Sequence, residues 1–279
     1  MSELKRTQLY GAHVKAGASL VDFGGWEMPI QYPTGIVAEH LNCRGGCGIF
    51  DVSHMGRLDI QGPDMVPFLQ HVITSNVLAL DVNQSQYAIM PDENGYAIDD
   101  VYLYRFEEDR YLLVVNAGNI DKDLVHLYQE AEKFDVAITN VSGQYAAIAV
   151  QGPRSKDILK ALHGGRELTA ENVKNALSTT TMEGRPVRVA KTGYTGEPIG
   201  YELYCDSADA EYFWDRLIEL GAKPTGLGAR DTLRMEATLP LYGHEMGPCQ
   251  LGGEIPVYAV PLAKFAVSFA EEKGEFVGK

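Results

Sequence analysis

The segment QSQYAIMPDENGYAIDDVYLYRFEEDRYLLVVNA, Gln84–Ala117, decides the fold. Its three apolar and aromatic runs, Gln84–Met90, Tyr96–Phe106 and Tyr111–Ala117, are separated by two turns, PDENG (Pro91–Gly95) and EEDR (Glu107–Arg110). Strands joined by short turns pair antiparallel, so the segment predicts a three-stranded meander. Alternation along the middle strand sets Ile98, Asp100, Tyr102 and Tyr104 on one face and Asp99, Val101 and Leu103 on the other. With both turns tight, Tyr87 is expected opposite Asp99 and Asp100, and Asn116 beside Asp100 and Val101. One carboxylate, several phenols and an amide then share a face suited to a flat heteroaromatic ligand with ring nitrogens. The competing reading is a half-solvated sheet with acids beside a turn, and a slip of one residue exchanges Asp99 for Asp100.

Outward from the meander, Asn119–Phe134 carries helical periodicity through Ile120, Leu124, Leu127 and Ala131, and a strand is expected near Val136–Val141. Upstream, a strand at Arg57–Gln61 meets Gly62-Pro63-Asp64, which opens a helix through Phe68 and Val72. The same strand-to-helix context recurs where Tyr145–Val150 runs into Gln151-Gly152-Pro153, an echo that two similar α+β units would produce. Strands near Arg185–Thr192 and Tyr201–Cys205, a helix over Ala208–Leu220 and another beginning in GLGARDTLRMEA (Gly226–Ala237) complete the pattern. Strands and helices are mixed without strict βαβ alternation, which predicts α+β rather than a doubly wound sheet.

The 279 residues carry a formal net charge of −14 with no basic stripe, which argues against nucleic acid as a partner. A composition 45% hydrophobic and 22% charged is that of a globular chain. It contains no run of about 18 apolar residues that could span a bilayer. The N-terminal MSELKRTQLYGAH lacks the apolar region of a secretory signal, so the cytoplasm is the expected location and no membrane partner is expected.

Four cysteines (43, 47, 205 and 249) are too scattered for a disulfide framework, and the Cys43/Cys47 spacing has no second pair, so no metal is expected. The seven histidines form no HExxH or HxH pair. Asp51, Ser53 and His54 of DVSHM suggest a triad only superficially, since neighbours along a strand diverge. GYTGE (Gly193–Glu197) is a glycine-rich turn around an aromatic. Arg230 lies near a helix N-terminus, where it could meet a carboxylate or a pterin carbonyl. Alternatively, Arg230 and Arg234 form ion pairs with Asp231 or Glu236.

Together, VDFGGWEMP, CGIFDVSHMG, the meander, LLVVNAGNIDKD, AVQGP, KTGYTGE, GLGARDTLRMEA and LYGHEM resemble the T-protein (aminomethyltransferase) family of the glycine cleavage system, in family order from about Leu9 to Met246. The resemblance implies a tetrahydrofolate enzyme. Such an enzyme moves the methylene of an aminomethyl-lipoyl group on H-protein to tetrahydrofolate, the acceptor substrate, and releases ammonia. It implies Asp100 as the catalytic carboxylate, and Met55, Tyr87, Asp100, Tyr104, Asn116, Tyr194, Glu202 and Arg230 as folate-binding residues. It implies two ferredoxin-like α+β lobes, residues 1–51 with 140–238 and 52–139 with 239–279, with the family's third, β-barrel-like domain missing from the chain. GEPIGYE is one residue longer than the family's usual spacing before Glu202, and Gly247–Phe269 is longer than its usual link. The alternatives are a folate-dependent demethylase of the same superfamily and a non-catalytic folate-binding module.

Overall fold

A computed structural model describes residues 3–168 and 173–279. The chain divides into two compact units, Met1–His54 with Ser142–Leu239, and Met55–Val141 with Pro240–Lys279. Each has α+β architecture, and among the described residues every sheet stays open.

The unit holding the meander is built on a five-stranded antiparallel sheet. Its strands lie in the order Gln84–Pro91, Ala97–Glu107, Arg110–Val115, Gly56–Gln61 and Ala137–Asn140. Helices Met65–Val72 and Ile120–Ala131 contribute Phe68, Leu69 and Leu127 to a core with the sheet residues Leu58, Ile60, Leu103 and Leu113. Each such side chain, fully buried, contributes roughly 1.5–3 kcal/mol relative to exposure. A smaller cluster joins Ile89 and Ala97 to Met246, Val257, Val260 and Ala263 of the tail. The tail also inserts Lys273, 2% exposed, whose ammonium donates to the carbonyls of Gln70 and Ile73 (2.7 Å to the latter). Gln70 lies in the last turn of the Met65–Val72 helix, where carbonyls lack intrahelical donors. Burial pushes Lys273 down to about 7.

The register of the first hairpin differs from the tight-turn expectation. Tyr87 pairs with Tyr102, Ile89 with Asp100 and Met90 with Asp99. The Asp92 carboxylate accepts from the backbone of Asn94 (2.9 Å) and Tyr96 (2.8 Å), winding the turn around itself, and the ladder shifts between Met90 and Pro91. Tyr87 therefore stands diagonally across from Asp100.

In the other unit, six strands lie in the order Leu177–Met182, Arg185–Ala190, Gly200–Asp206, Tyr145–Gln151, Gly48–Asp51 and Lys223–Pro224; only the last pair is parallel. Helices Ser155–Leu162 and Ala210–Glu219 pack Leu159, Phe213, Trp214 and Leu217 against Ile148, Val150 and Leu203. Both units share one succession: strand, helix, three-stranded meander, helix, strand. In the five-stranded sheet, omitting the edge strand Gln84–Pro91 leaves the ferredoxin-like order, and in the other unit Gly48–Asp51 is inserted next to the strand that begins the succession. The Gln-Gly-Pro echo marks the shared corner. Gly62 (φ 124°) and Gly152 (φ 118°) both adopt a backbone that disfavours side chains, and a Cβ on either would collide with carbonyl oxygens, of Asp135 and of Cys43 respectively.

Candidate functional site

Asp100 is half-buried on the face of the middle meander strand that also carries Tyr102. The Tyr87 hydroxyl donates to its Oδ2 (3.1 Å), and the Asn116 amide Nδ2 donates to its Oδ1 (2.8 Å). Burial, and then the adjacent Asp99 carboxylate, push Asp100 up to about 7, despite the lowering effect of those two bonds. The group can thus gain or lose a proton near neutrality.

Asn116 can serve both faces because it follows the last residue of the Arg110–Val115 strand. Its backbone N–H and Nδ2 also donate to Asp99, both at 2.9 Å, and Asn119 Nδ2 adds a third donor at 2.6 Å. Asp99 itself is fully buried on the core face with Val101 and Leu103. The Lys122 ammonium donates to the Ile98 carbonyl (2.6 Å) and the Tyr242 hydroxyl (2.7 Å).

Tyr102 links Tyr87 and Tyr104, with ring centroids 6.3 Å from the first and 5.2 Å from the second. Tyr104 is 1% exposed, stacked on Phe106 with centroids 5.9 Å apart, so its ring is covered. Met55 is half-buried and directly precedes Gly56, which pairs with Val115, the neighbour of Asn116. Of the residues implied by resemblance in this unit, the structure brings Tyr87, Asp100 and Asn116 into one hydrogen-bonded group. Met55 stands at its margin, and Tyr104 lies behind Tyr102.

In the other unit, GYTGE falls in the loop between Arg185–Ala190 and Gly200–Asp206, adjacent antiparallel strands. Gln151 organises this loop. Its Nε2 donates to the carbonyls of Thr192 (3.1 Å) and Tyr201 (3.0 Å), and its Oε1 accepts from Thr195 (2.8 Å). A Cβ at Gly193 or Gly200 would occupy the place of that amide. Arg44 holds the far side through the Thr195 carbonyl (2.8 Å) and Glu197 (2.6 Å).

The loop presents Tyr194 beneath the Arg230 guanidinium, 5.9 Å from the ring centroid. Arg230 lies in the first turn of helix Leu227–Glu236. Glu202, 8% exposed, accepts from Thr192 (2.6 Å) at the root of the same loop. The ion pairing weighed for this helix falls to Arg234 with Asp231 (2.8 Å) and to Arg44 with Glu236 (2.8 Å).

The other motifs have structural roles. Asp51 of DVSHM does not meet His54 in a triad; it bonds His13 (2.9 Å) and Thr7 (2.6 Å), and Tyr32 meets the other His13 nitrogen (2.9 Å) in the core. Cys43 and Cys47 are buried thiols pushed up to about 12 by burial. Among the described residues no cluster of His, Cys, Asp or Glu is arranged to hold a metal ion, and no helix is long and apolar enough to cross a membrane.

Comparison with known proteins adds to this geometry. The family model of the GCVT N-terminal domain matches residues 9–251. The chain belongs to that family. The aminomethyltransferase of Deinococcus deserti is 49% identical over 242 residues, covering 87% of this chain and 67% of that protein. That of Desulfitobacterium hafniense is 43% identical over 283 residues, covering 100% of this chain and 74% of its own length. Among solved structures, the glycine cleavage system aminomethyltransferase T from Bartonella henselae superposes with a TM-score of 0.82 at 32% identity, covering 99% of this chain and 73% of that one. GCVT membership and that structural likeness agree with the α+β architecture of both units.

Sequence reading left Asn119, Lys122, Asp123 and Tyr242 without roles, and assigned Asp99 only as the register alternative to Asp100. The signal was present in the polar spacing of Asn116, Asn119, Lys122 and Asp123 around the start of a helix. A helix whose first turn packs on a strand end directs such residues at that strand.

Proposed function

We propose that the chain is a tetrahydrofolate-dependent aminomethyltransferase of the glycine cleavage system, with Asp100 as its catalytic carboxylate. Its donor is the aminomethyl-lipoyl group of the H-protein, its acceptor is tetrahydrofolate, and it works in the cytoplasm. The observation that carries this reading is Asp100 itself. It is a half-buried carboxylate raised to about 7 and oriented by a phenol on one oxygen and an amide on the other. Family membership supports the reaction class.

In the reaction, N5 of the folate bonds to the methylene carbon as the carbon–nitrogen bond breaks, and the N5 proton passes to the departing nitrogen, which leaves as ammonia. The carbon–sulfur bond then breaks, its electrons stay on the lipoyl sulfur, and positive iminium character develops at N5. Attack by N10 closes the ring with loss of its proton. An ionised Asp100 beside the pterin stabilises the developing positive charge and accepts the released proton. Tyr87 and Asn116 hold it in place; Met55 borders the pocket, and Tyr104 backs it from behind Tyr102. Tyr194, Arg230 and Glu202 contact the folate, the first through its ring face and the others through charge.

The test supplies the chain with tetrahydrofolate and H-protein carrying a labelled aminomethyl group. The expected result is labelled 5,10-methylenetetrahydrofolate and an equal amount of ammonia. Label transfer from a methylated small-molecule donor instead, with none from H-protein, assigns the chain to the demethylases and refutes the proposal. Tight folate binding with no transfer from either donor refutes it in favour of a binding module.

A further inference from the structure

Asp123 lies in the first turn of helix Ile120–Ala131, fully buried, and neither of its oxygens meets a donor from the described residues. An ionised carboxylate cannot remain in that position without partners. Its carboxyl instead faces that of Asp99, in hydrogen-bonding contact. Two carboxylates cannot bond each other, but a carboxylic acid and a carboxylate can, through one proton. Asp99 already accepts from the Asn116 backbone, the Asn116 amide and the Asn119 amide, the environment of an ionised group. The proton therefore belongs on Asp123.

We propose that Asp123 is the neutral, proton-bearing member of an Asp99–Asp123 acid pair, and that this pair positions Asp100 through Asn116 and sets the charge behind it. One amide nitrogen, Asn116 Nδ2, bonds both Asp99 Oδ1 and Asp100 Oδ1, so the orientation of Asp99 passes directly to the catalytic carboxylate. Asp123 touches no reacting atom in this scheme; it is a positioning residue. The pair holds one negative charge, and that charge keeps Asp100 from ionising too readily.

The surrounding groups agree. Burial, then the Asp99 charge, push Asp123 well above the usual carboxylate range, and burial raises Asp99 as well. Lys122, next to Asp123 in the chain, commits its ammonium to the Ile98 carbonyl and the Tyr242 hydroxyl, and burial lowers it. Tyr242, pushed up to about 12 by burial and by Asp99, stays neutral; Glu254 adds charge on the side of Tyr242 and Lys122. Tyr87 reaches Asp100 from the neighbouring strand.

The kinetic consequence rests on the aminomethyl-transfer reading; the proton does not. The experiment is carbon-13 NMR of the chain labelled at aspartate carboxyl carbons, with and without Asp123→Asn. At pH 8 one aspartate carboxyl of the unsubstituted chain is expected at the protonated position, and Asp123→Asn is expected to remove that signal. All carboxyls ionised at pH 8, or a protonated signal surviving in Asp123→Asn, overturns the proposal. In the transfer assay, Asp123→Asn, whose amide can donate the same bond to Asp99, should keep kcat within about threefold. Asp123→Ala should lose about tenfold or more in kcat with the folate KM little changed. Equal damage from Asn and Ala means that charge, not donation, matters, and also overturns the proposal. If Asp123→Ala does not fold, the label and the Asn variant decide alone. A protonated Asp123 in a chain that transfers nothing supports the acid pair and refutes only the assigned activity.

Discussion

Gln151→Glu tests how the glycine-rich loop is held. The substitution preserves shape, so it leaves no cavity, but it replaces the Nε2 donor with an oxygen facing the carbonyls of Thr192 and Tyr201, 3.1 and 3.0 Å from the present nitrogen. Gln151 is 1% exposed, so water cannot compensate. Two buried bonds lost at roughly 1–3 kcal/mol each give about 4 kcal/mol of destabilisation at pH 8. The sign with pH follows. The new carboxyl, buried against carbonyls, has its folded pKa raised above the unfolded value of about 4.3, so the stability it retains is present at low pH and lost as pH rises. When protonated it can donate one of the two bonds again. Urea unfolding of the wild type and the variant at pH 5 and pH 8 measures this, with folate affinity as a second readout because Tyr194 rides on the loop. A cost below about 1 kcal/mol at pH 8, or one that does not shrink toward pH 5, refutes the reasoning.

Lys273→Met is expected to flatten the pH dependence of stability above neutrality. Burial pushes the lysine down to about 7, so the folded chain binds fewer protons than the unfolded chain up to about 10.5, and wild-type stability rises over that window, by at most about 1.4 kcal/mol per pH unit. Thermal melts from pH 7 to pH 10 on both proteins check it. Gly152→Ala forces a Cβ into the Cys43 carbonyl at a φ of 118° and should cost about 3 kcal/mol or more, or prevent folding; equilibrium unfolding or soluble yield measures this, and a change under about 1 kcal/mol contradicts the assigned backbone constraint.

The meander was legible because its alternation and turn residues are local properties. Its strands differ from the expected spans by only a residue or two at most ends. The pairing of the first hairpin was not legible. The Asp92 side chain rewinds the turn, and period-two alternation carries no information about that bond. Tyr87 still reaches Asp100 because a tyrosine spans the diagonal distance across an antiparallel pair. Asp100 and Asn116 could be placed together because one sits on, and the other directly follows, paired strands that are next to each other in sequence. Tyr242, Asp123 and the deep hydrogen bonding of Asp99 depend on a helix and a tail folding back onto the strand end. In the same way, Asp51 found His13 rather than the nearby His54, since partners in a core are chosen by packing rather than by distance along the chain.

The role of Asp100 is tested most directly by measuring kcat for aminomethyl transfer and the folate Kd in Asp100→Asn. The amide keeps the size of the carboxyl and can still accept from Asn116, so binding should change by less than about tenfold while kcat falls roughly 10²- to 10⁴-fold. Equal losses in kcat and affinity, or a kcat close to wild type, would contradict a catalytic role for this carboxylate.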